Sequence, residues 1–140
     1  MKKTLLILVL TCLTGWLFAL TGYTLDENKD GKPDVWLLKD RGVVREFRAD
    51  RNFDGKIDQI SQFDGGSRLT HEEYDYNFDG EMDDFYFFEG GMLVKHEIDS
   101  NFDKVIDMRV YLHEGMYIKR IERDEDFDGE MDRISNFDRK

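Results

Sequence analysis

Cysteine is nearly absent from this chain: Cys12 is the only one in 140 residues. Everything downstream therefore lacks disulfides and thiolate sites, so an exported domain of this kind must be held by its core or by metal. Cys12 itself is a poor lipid acceptor, because Val9-Leu10-Thr11 precedes it and apolar sequence continues beyond it. A basic surplus is also missing. The 31 acidic residues outnumber the 20 basic ones for a formal net charge of -11. Nucleic acid and anionic lipid bind through Lys/Arg clusters, so neither is an expected partner; cations or a basic protein are. Catalytic constellations are lacking as well. No Ser/His/Asp or Cys/His set is visible, and His71, His96 and His113 share no spacing, so they read as surface strand residues. No enzyme activity is expected.

Aromatic residues, by contrast, are plentiful. The chain holds 11 Phe and 6 Tyr although 36% of it is charged. A disordered acidic tail has few aromatics, so these acids belong to a folded body.

The first twenty residues stand apart. Met1, Lys2 and Lys3 are followed by an uncharged, mostly apolar run from Thr4 to Leu20, the layout of a secretory signal. Residues 1–22 are read as a signal peptide and residues 23–140 as the mature domain, placing the protein in the periplasm, at the cell surface or outside the cell. The alternative is an uncleaved membrane anchor over residues 4–20, a run close to the minimum for crossing a bilayer.

Self-similarity organises the rest. Segments starting at Asp26, Asp50, Asp75, Asp99 and Asp124 align at offsets of 24, 25, 24 and 25 residues. They read DENKDGKPD, DRNFDGKID, DYNFDGEMD, DSNFDKVID and DEDFDGEMD. Positions 1, 5 and 9 are Asp throughout, position 3 is Asn or Asp, and position 6 is Gly except at Lys104. Between these loops, short runs rich in aromatic and β-branched residues flank a Gly-containing turn, as at Gly42, Gly65-Gly66, Gly90-Gly91 and Gly115. No inter-loop stretch is long enough for a helix of average length. The predicted fold is all-β: tandem β-hairpin repeats, about ten short antiparallel strands joined by the acidic loops, with Arg133–Asp138 as a terminal strand.

Hard dications take about six to eight oxygen ligands. A nine-residue loop offers side chains at positions 1, 3, 5 and 9 and the backbone carbonyl of position 7, with a turn at position 6 that aims this carbonyl inward. The candidate metal ligands are Asp26, Asn28, Asp30, Lys32 and Asp34; Asp50, Asn52, Asp54, Lys56 and Asp58; Asp75, Asn77, Asp79, Glu81 and Asp83; Asp99, Asn101, Asp103, Val105 and Asp107; and Asp124, Asp126, Asp128, Glu130 and Asp132. Lys32, Lys56, Glu81, Val105 and Glu130 enter through their carbonyls. An all-oxygen set selects calcium over zinc or copper, and its size disfavours magnesium. Lys104 places a side chain and a positive charge at the turn, so the fourth loop is expected to be the weakest site or to hold no ion.

These loops resemble those of EF-hands, dockerins, thrombospondin type 3 repeats and the FG-GAP/VCBS blades of β-propellers. EF-hands and dockerins add an acid at position 12, which here is Leu37, Ser61, Tyr86, Val110 or Ser135. Thrombospondin type 3 repeats are disulfide-linked. The FG-GAP/VCBS class, where an acid at position 9 closes the site and the loop joins strands, is the nearest likeness, although the repeat is much shorter than a blade. The resemblance implies an exported bacterial tandem-repeat protein that binds Ca2+.

At millimolar calcium a site of tenth-millimolar affinity contributes about 1.4 kcal/mol. Four or five of them add about 6–7 kcal/mol, comparable with the whole stability of a small domain. Calcium is thus expected to stabilise a structural or adhesive module. A second reading is a module that binds a basic protein or a glycan through an acidic, aromatic sheet. Phe53, Phe78, Phe102 and Phe127 are expected to stack along the array. Of Phe85-Tyr86-Phe87-Phe88, two point to each sheet face; one pair is expected in the core, and the other is either covered too or an exposed contact. Glu73, Glu97 and Glu122, each two residues before a loop, are candidate outer-sphere acids.

Overall fold

The computed structural model describes residues 5–10 and 18–137, with side-chain placement from Leu20 onward. It is all-β. The strands are β1 (Leu5–Leu10), β2 (Phe18–Leu25), β3 (Val35–Asp40), β4 (Val43–Ala49), β5 (Gln59–Phe63), β6 (Leu69–Tyr74), β7 (Asp84–Glu89), β8 (Met92–Ile98), β9 (Met108–His113), β10 (Tyr117–Arg123) and β11 (Arg133–Asn136). Their order in the single sheet is their order in the chain, and every pairing is antiparallel. The boundary expected at residue 22 falls inside β2, and Cys12 lies outside the described residues. No described helix is long and apolar enough to cross a membrane.

A meander of this kind sends alternate connections to opposite ends of the sheet. All five acidic loops therefore line one end, and the hairpin tips line the other. Each strand touches only its sequence neighbours, so the sheet is open and one layer thick. No second layer among the described residues covers either face. Among the described residues Ala49 is the one buried hydrophobic side chain, whereas Asp34, Asp50, Asp58, Asp75, Asp83, Asp99, Asp107 and Asp124 are all buried. The expected aromatic core is thus not formed. Phe85 and Phe87 point to one face and Tyr86 and Phe88 to the other, as alternation requires, but all four are only half-buried.

The two faces differ. One carries a lattice of ion pairs: Arg48–Glu46, His71–Glu73, Lys95–Glu97, Arg109 with Glu97 and Glu122, and Arg120–Glu122. Lys95 Nζ also sits 3.8 Å from the centre of the Phe87 ring. The candidate outer-sphere acids are used here as partners of strand cations, not turned toward the loops. The opposite face carries Gln59, which donates to Ser61 and Tyr74, and Ser61, which donates to Glu72. His96 and Asp84 lie 2.6 Å apart beside it, with Tyr86 stacked on His96.

Each hairpin from β3 to β10 holds one register shift, on its second strand near the tip. The unpaired residues are Arg45, Thr70, Val94 and Lys119. A bulge of this kind offsets the alternation beyond it. Val44, Leu69, Leu93 and Ile118 consequently pair with Lys39, Phe63, Phe88 and Leu112. The side chains nearest the tip thereby join the hydrogen-bonded polar face, opposite the ion pairs. The alternating repeat length is absorbed at the tips. Arg41-Gly42 and Gly90-Gly91 are two-residue turns, while Glu114-Gly115-Met116 and the wider Asp64–Arg68 turn are longer. Loops and bulges stay in phase as a result.

The bulge is a register device, which gives a sharp contrast between two edits. Deleting Phe87 from β7, the strand without the bulge, forces Phe88 and Glu89 to change faces and is expected to destabilise the chain by about 1–3 kcal/mol. Adding one glycine at the Gly90-Gly91 tip, as the longer tips tolerate, is expected to change stability by less than about 0.5 kcal/mol. Urea unfolding of the two variants measures the difference.

Candidate metal centre

The five loops share one backbone path. Position 4 adopts a left-handed conformation at Lys29, Phe53, Phe78, Phe102 and Phe127, with φ between 61° and 66°. Position 6 does so again at Gly31, Gly55, Gly80, Lys104 and Gly129, with φ of 75° at Lys104 and 92–96° at the glycines. Left-handed φ is uncommon for a bulky side chain such as Phe, and it persists only where the surroundings over-determine it.

The surroundings here are carboxylates. At position 1, Oδ1 accepts from the position 4 N–H and Oδ2 from the position 6 N–H, at 2.6–2.9 Å in all five loops. At position 3, the Asn oxygen accepts from the position 5 N–H in loops one to four. At position 5, Oδ1 accepts from the position 7 N–H in every loop. At position 9, Oδ2 receives the position 2 N–H throughout and the position 3 N–H in loops one to four. Asp and Asn form turns of this sort through their own backbone. The loop is therefore folded by its acids, and the position 9 acid keeps Oδ1 for another partner.

Successive loops are also joined to one another. The backbone N–H of Asp50, Asp75, Asp99 and Asp124 donates to the carbonyl of Asp34, Asp58, Asp83 and Asp107 respectively, at 2.8–2.9 Å. The closing acid of one loop thus holds the opening acid of the next. Inter-loop side chains reinforce the row: Lys56 Nζ donates to the Asp79 carbonyl at 2.6 Å, passing over Gly80 where a side chain has no room.

Three loops draw their acids into a cluster. One oxygen from each of Asp50, Asp54 and Asp58 lies within 4.8 Å of the others; the same holds for Asp99, Asp103 and Asp107, and for Asp124, Asp126 and Asp128. No trio in loops one and three comes as close among the described residues. Within the clusters, Asp58 Oδ1 and Asp107 Oδ1 are buried without a hydrogen-bond partner. Asp58 is only 1% exposed. A buried carboxylate oxygen without a donor, on an acid gathered with two others, is an arrangement that a dication relieves. Expected ligands at positions 1 and 9 are buried apart from Asp26 and Asp132 at the array ends, whereas positions 3, 5 and 7 face solvent. A cation would sit between a buried wall and an open side.

In loop four the lysine at the turn is drawn to its neighbour. Lys104 accepts the left-handed backbone, and its Nζ turns away from its own site to Glu81 of loop three, 2.7 Å away. Its charge is spent on the neighbour, and the three acids of loop four gather as tightly as those of loop two. The aromatic ladder also differs. Phe53, Phe78, Phe102 and Phe127 are 44–51% exposed, and no ring pair found among the described residues joins two of them. Equivalent positions are two strand spacings apart, roughly 10 Å, which is too far for stacking.

The electrostatics are lopsided. The five loops hold 20 of the 31 acidic and 5 of the 20 basic residues, a formal −15 against +4 for the remainder. Asp126 is held above the ordinary carboxylate value first by the charge of Asp128 and then by Asp132. Burial lifts Asp83 in the same direction. Backbone N–H groups hold Asp54 and Asp79 below it, through Lys56 and Glu81 respectively.

No protein-family model matches the chain, and no curated protein matches it. Among solved structures, the crystal structure of accessory secretory protein 1, 2 and 3 in Streptococcus pneumoniae is similar, with a TM-score of 0.48 and 19% identity. The match covers 66% of this chain and 18% of that one, so the chain spans less than a fifth of its neighbour's length. A likeness this slight carries no argument.

Two outcomes follow from the loop geometry. Lys104→Gly relieves a left-handed L-residue and is expected to stabilise the metal-free chain by up to about 1 kcal/mol in urea unfolding, since its exposed pair with Glu81 contributes little. In chelator, an NMR titration of the Asp carboxyl carbons is expected to show Asp126 and Asp83 protonating above 3.8, and Asp54 and Asp79 below it. The signs oppose each other. A raised carboxylate weakens the metal-free fold when ionised and relaxes as pH falls through its value; a lowered one stabilises above 3.8 and loses that contribution as pH falls.

Proposed function

We propose that this protein is a calcium-binding structural or adhesive repeat module of an exported protein, in which the ions hold the loop edge of the sheet. The observation that carries the reading is the pair of buried, unpartnered oxygens, Asp58 Oδ1 and Asp107 Oδ1, each on an acid that belongs to a cluster of three. All ligands on offer are oxygens, which suits calcium. The chemistry a bound ion supplies here is neutralisation of converging carboxylates. The chain's own part is to pre-turn each loop through its Asx bonds and to link the loops through the Asp-to-Asp backbone ladder. No catalytic role is assigned: the three histidines are tied to strand or tip acids, and the described clefts lie open along the sheet. Export rests on the basic start and apolar run of the first twenty residues.

A second reading is a module for a basic protein or a glycan. It is favoured by the exposed Phe row at the loop edge and by the surplus of acid there.

Calorimetric titration of the whole chain with calcium tests the first reading. Loops two, four and five are expected to fill before loops one and three, and chelator is expected to lower the melting temperature. Three sites at tenfold excess over Kd correspond to about 4 kcal/mol of stability. Melting curves that coincide with and without chelator would sink the proposal. Asp58→Asn and Asp107→Asn are expected to remove one site each.

A further inference from the structure

We infer that the hydrogen-bonded polar face of the sheet is covered by a second copy of this chain, giving a face-to-face β-sandwich dimer. Two observations carry this, and neither depends on metal. The first is area. The chain exposes 9874 Å² for a mass of 16.6 kDa, whereas a compact monomer of that mass exposes about 7,600 Å². The excess, roughly 2,300 Å² per chain or about 4,600 Å² for a pair, lies within the range that obligate homodimers bury in total, about 2,000–5,000 Å². With Ala49 as the one buried apolar side chain among the described residues, no interior has yet been made.

The second observation is the pattern of that face. Toward the tips, three of the four bulges bring aliphatic residues opposite apolar ones of the neighbouring strands: Phe63 with Leu69, Phe88 with Leu93, Leu112 with Ile118. The row is continuous across six strands, and all six side chains are half-buried or exposed. Phe63 and Phe88 alternate with the slimmer Leu69 and Leu93 at the strand spacing of about 4.8 Å. A second such row, related by a two-fold axis, fits its large side chains against the small ones of the first. Repeats provide this self-complementarity, which a two-fold contact requires. Sheets packed this way sit about 10 Å apart and bury both inner faces.

The rest of the face tolerates cover. Gln59, Ser61, Glu72 and Tyr74 bond to one another, as do Asp84 and His96, so burial leaves these groups satisfied. The ion-pair face offers no comparable row. Rows that meet in this way place both loop edges at the same end of the pair, where a formal −15 on each repels the other, a cost that salt screens.

Sedimentation velocity on the whole chain at micromolar concentration, in calcium, tests the dimer. Twice the chain mass is expected, and Phe88→Lys and Leu93→Glu are each expected to abolish it while retaining the far-ultraviolet β signal. Phe87→Lys, on the ion-pair face, is expected to leave it intact. Radical footprinting of the unaltered chain gives a reading that no misfolded variant can obscure: Phe88 and Leu93 protected, Phe87 and Trp36 labelled. A monomer, a dimer insensitive to Leu93→Glu and Phe88→Lys, or a footprint that protects the ion-pair face instead overturns the inference.

Discussion

The fold depends on aspartate carboxylates taken out of water at the sheet's edge. Apart from Asp26 and Asp132, the position 1 and position 9 acids are among the most enclosed of the described side chains, and each accepts backbone N–H groups that would otherwise lack partners at the turn. Those bonds force the left-handed residues at positions 4 and 6, set the loop's width and deliver the chain into the next strand. A like-charged cluster held this way is under electrostatic tension. Hydrogen bonding favours the ionised form, while mutual repulsion and burial oppose it. The opposed shifts of Asp54 and Asp126 display the two influences separately. A bound dication would resolve the conflict in favour of ionisation.

Much of this is legible in the residues. The D-x-N-x-D-G-x-x-D spacing locates all five loops, and the aromatic and β-branched runs around Gly locate nine strands, β3 to β11. Glycine at position 6 announces a positive φ, which the structure shows at all four of these glycines and at Lys104 as well. What escapes has no local signature. Arg45, Thr70, Val94 and Lys119 share no chemistry, so only pairing reveals the bulges. The second left-handed site, at position 4, hides behind Phe, a residue whose presence argues against φ > 0. The partner of Lys104 is Glu81, 23 residues away, a pairing that no local pattern announces. Burial of Phe85–Phe88 is an expectation from composition. Composition is silent on whether a sheet acquires a second layer.

That distinction between one layer and two shapes the energetics. In most domains apolar burial supplies the main favourable contribution. Here it is divided among half-covered side chains, cation–aromatic contacts such as Lys95 over Phe87, and paired charges that are individually worth little. The metal-free monomer therefore rests on backbone pairing more than on a core. Extended sheets of this type are cooperative only through nearest neighbours, so loosening at one hairpin passes stepwise to the next.

The Asp-to-Asp ladder has a metrical consequence. Because the N–H of each opening acid bonds the carbonyl of the preceding closing acid, the distance from loop to loop is fixed by main-chain pairing at two strand widths, roughly 10 Å. Side-chain changes can strengthen, weaken or silence a given loop, but they leave that interval untouched. The edge thus works as a ruler graduated by the peptide backbone. Appending or removing whole repeats would lengthen or shorten the scale without recalibrating it.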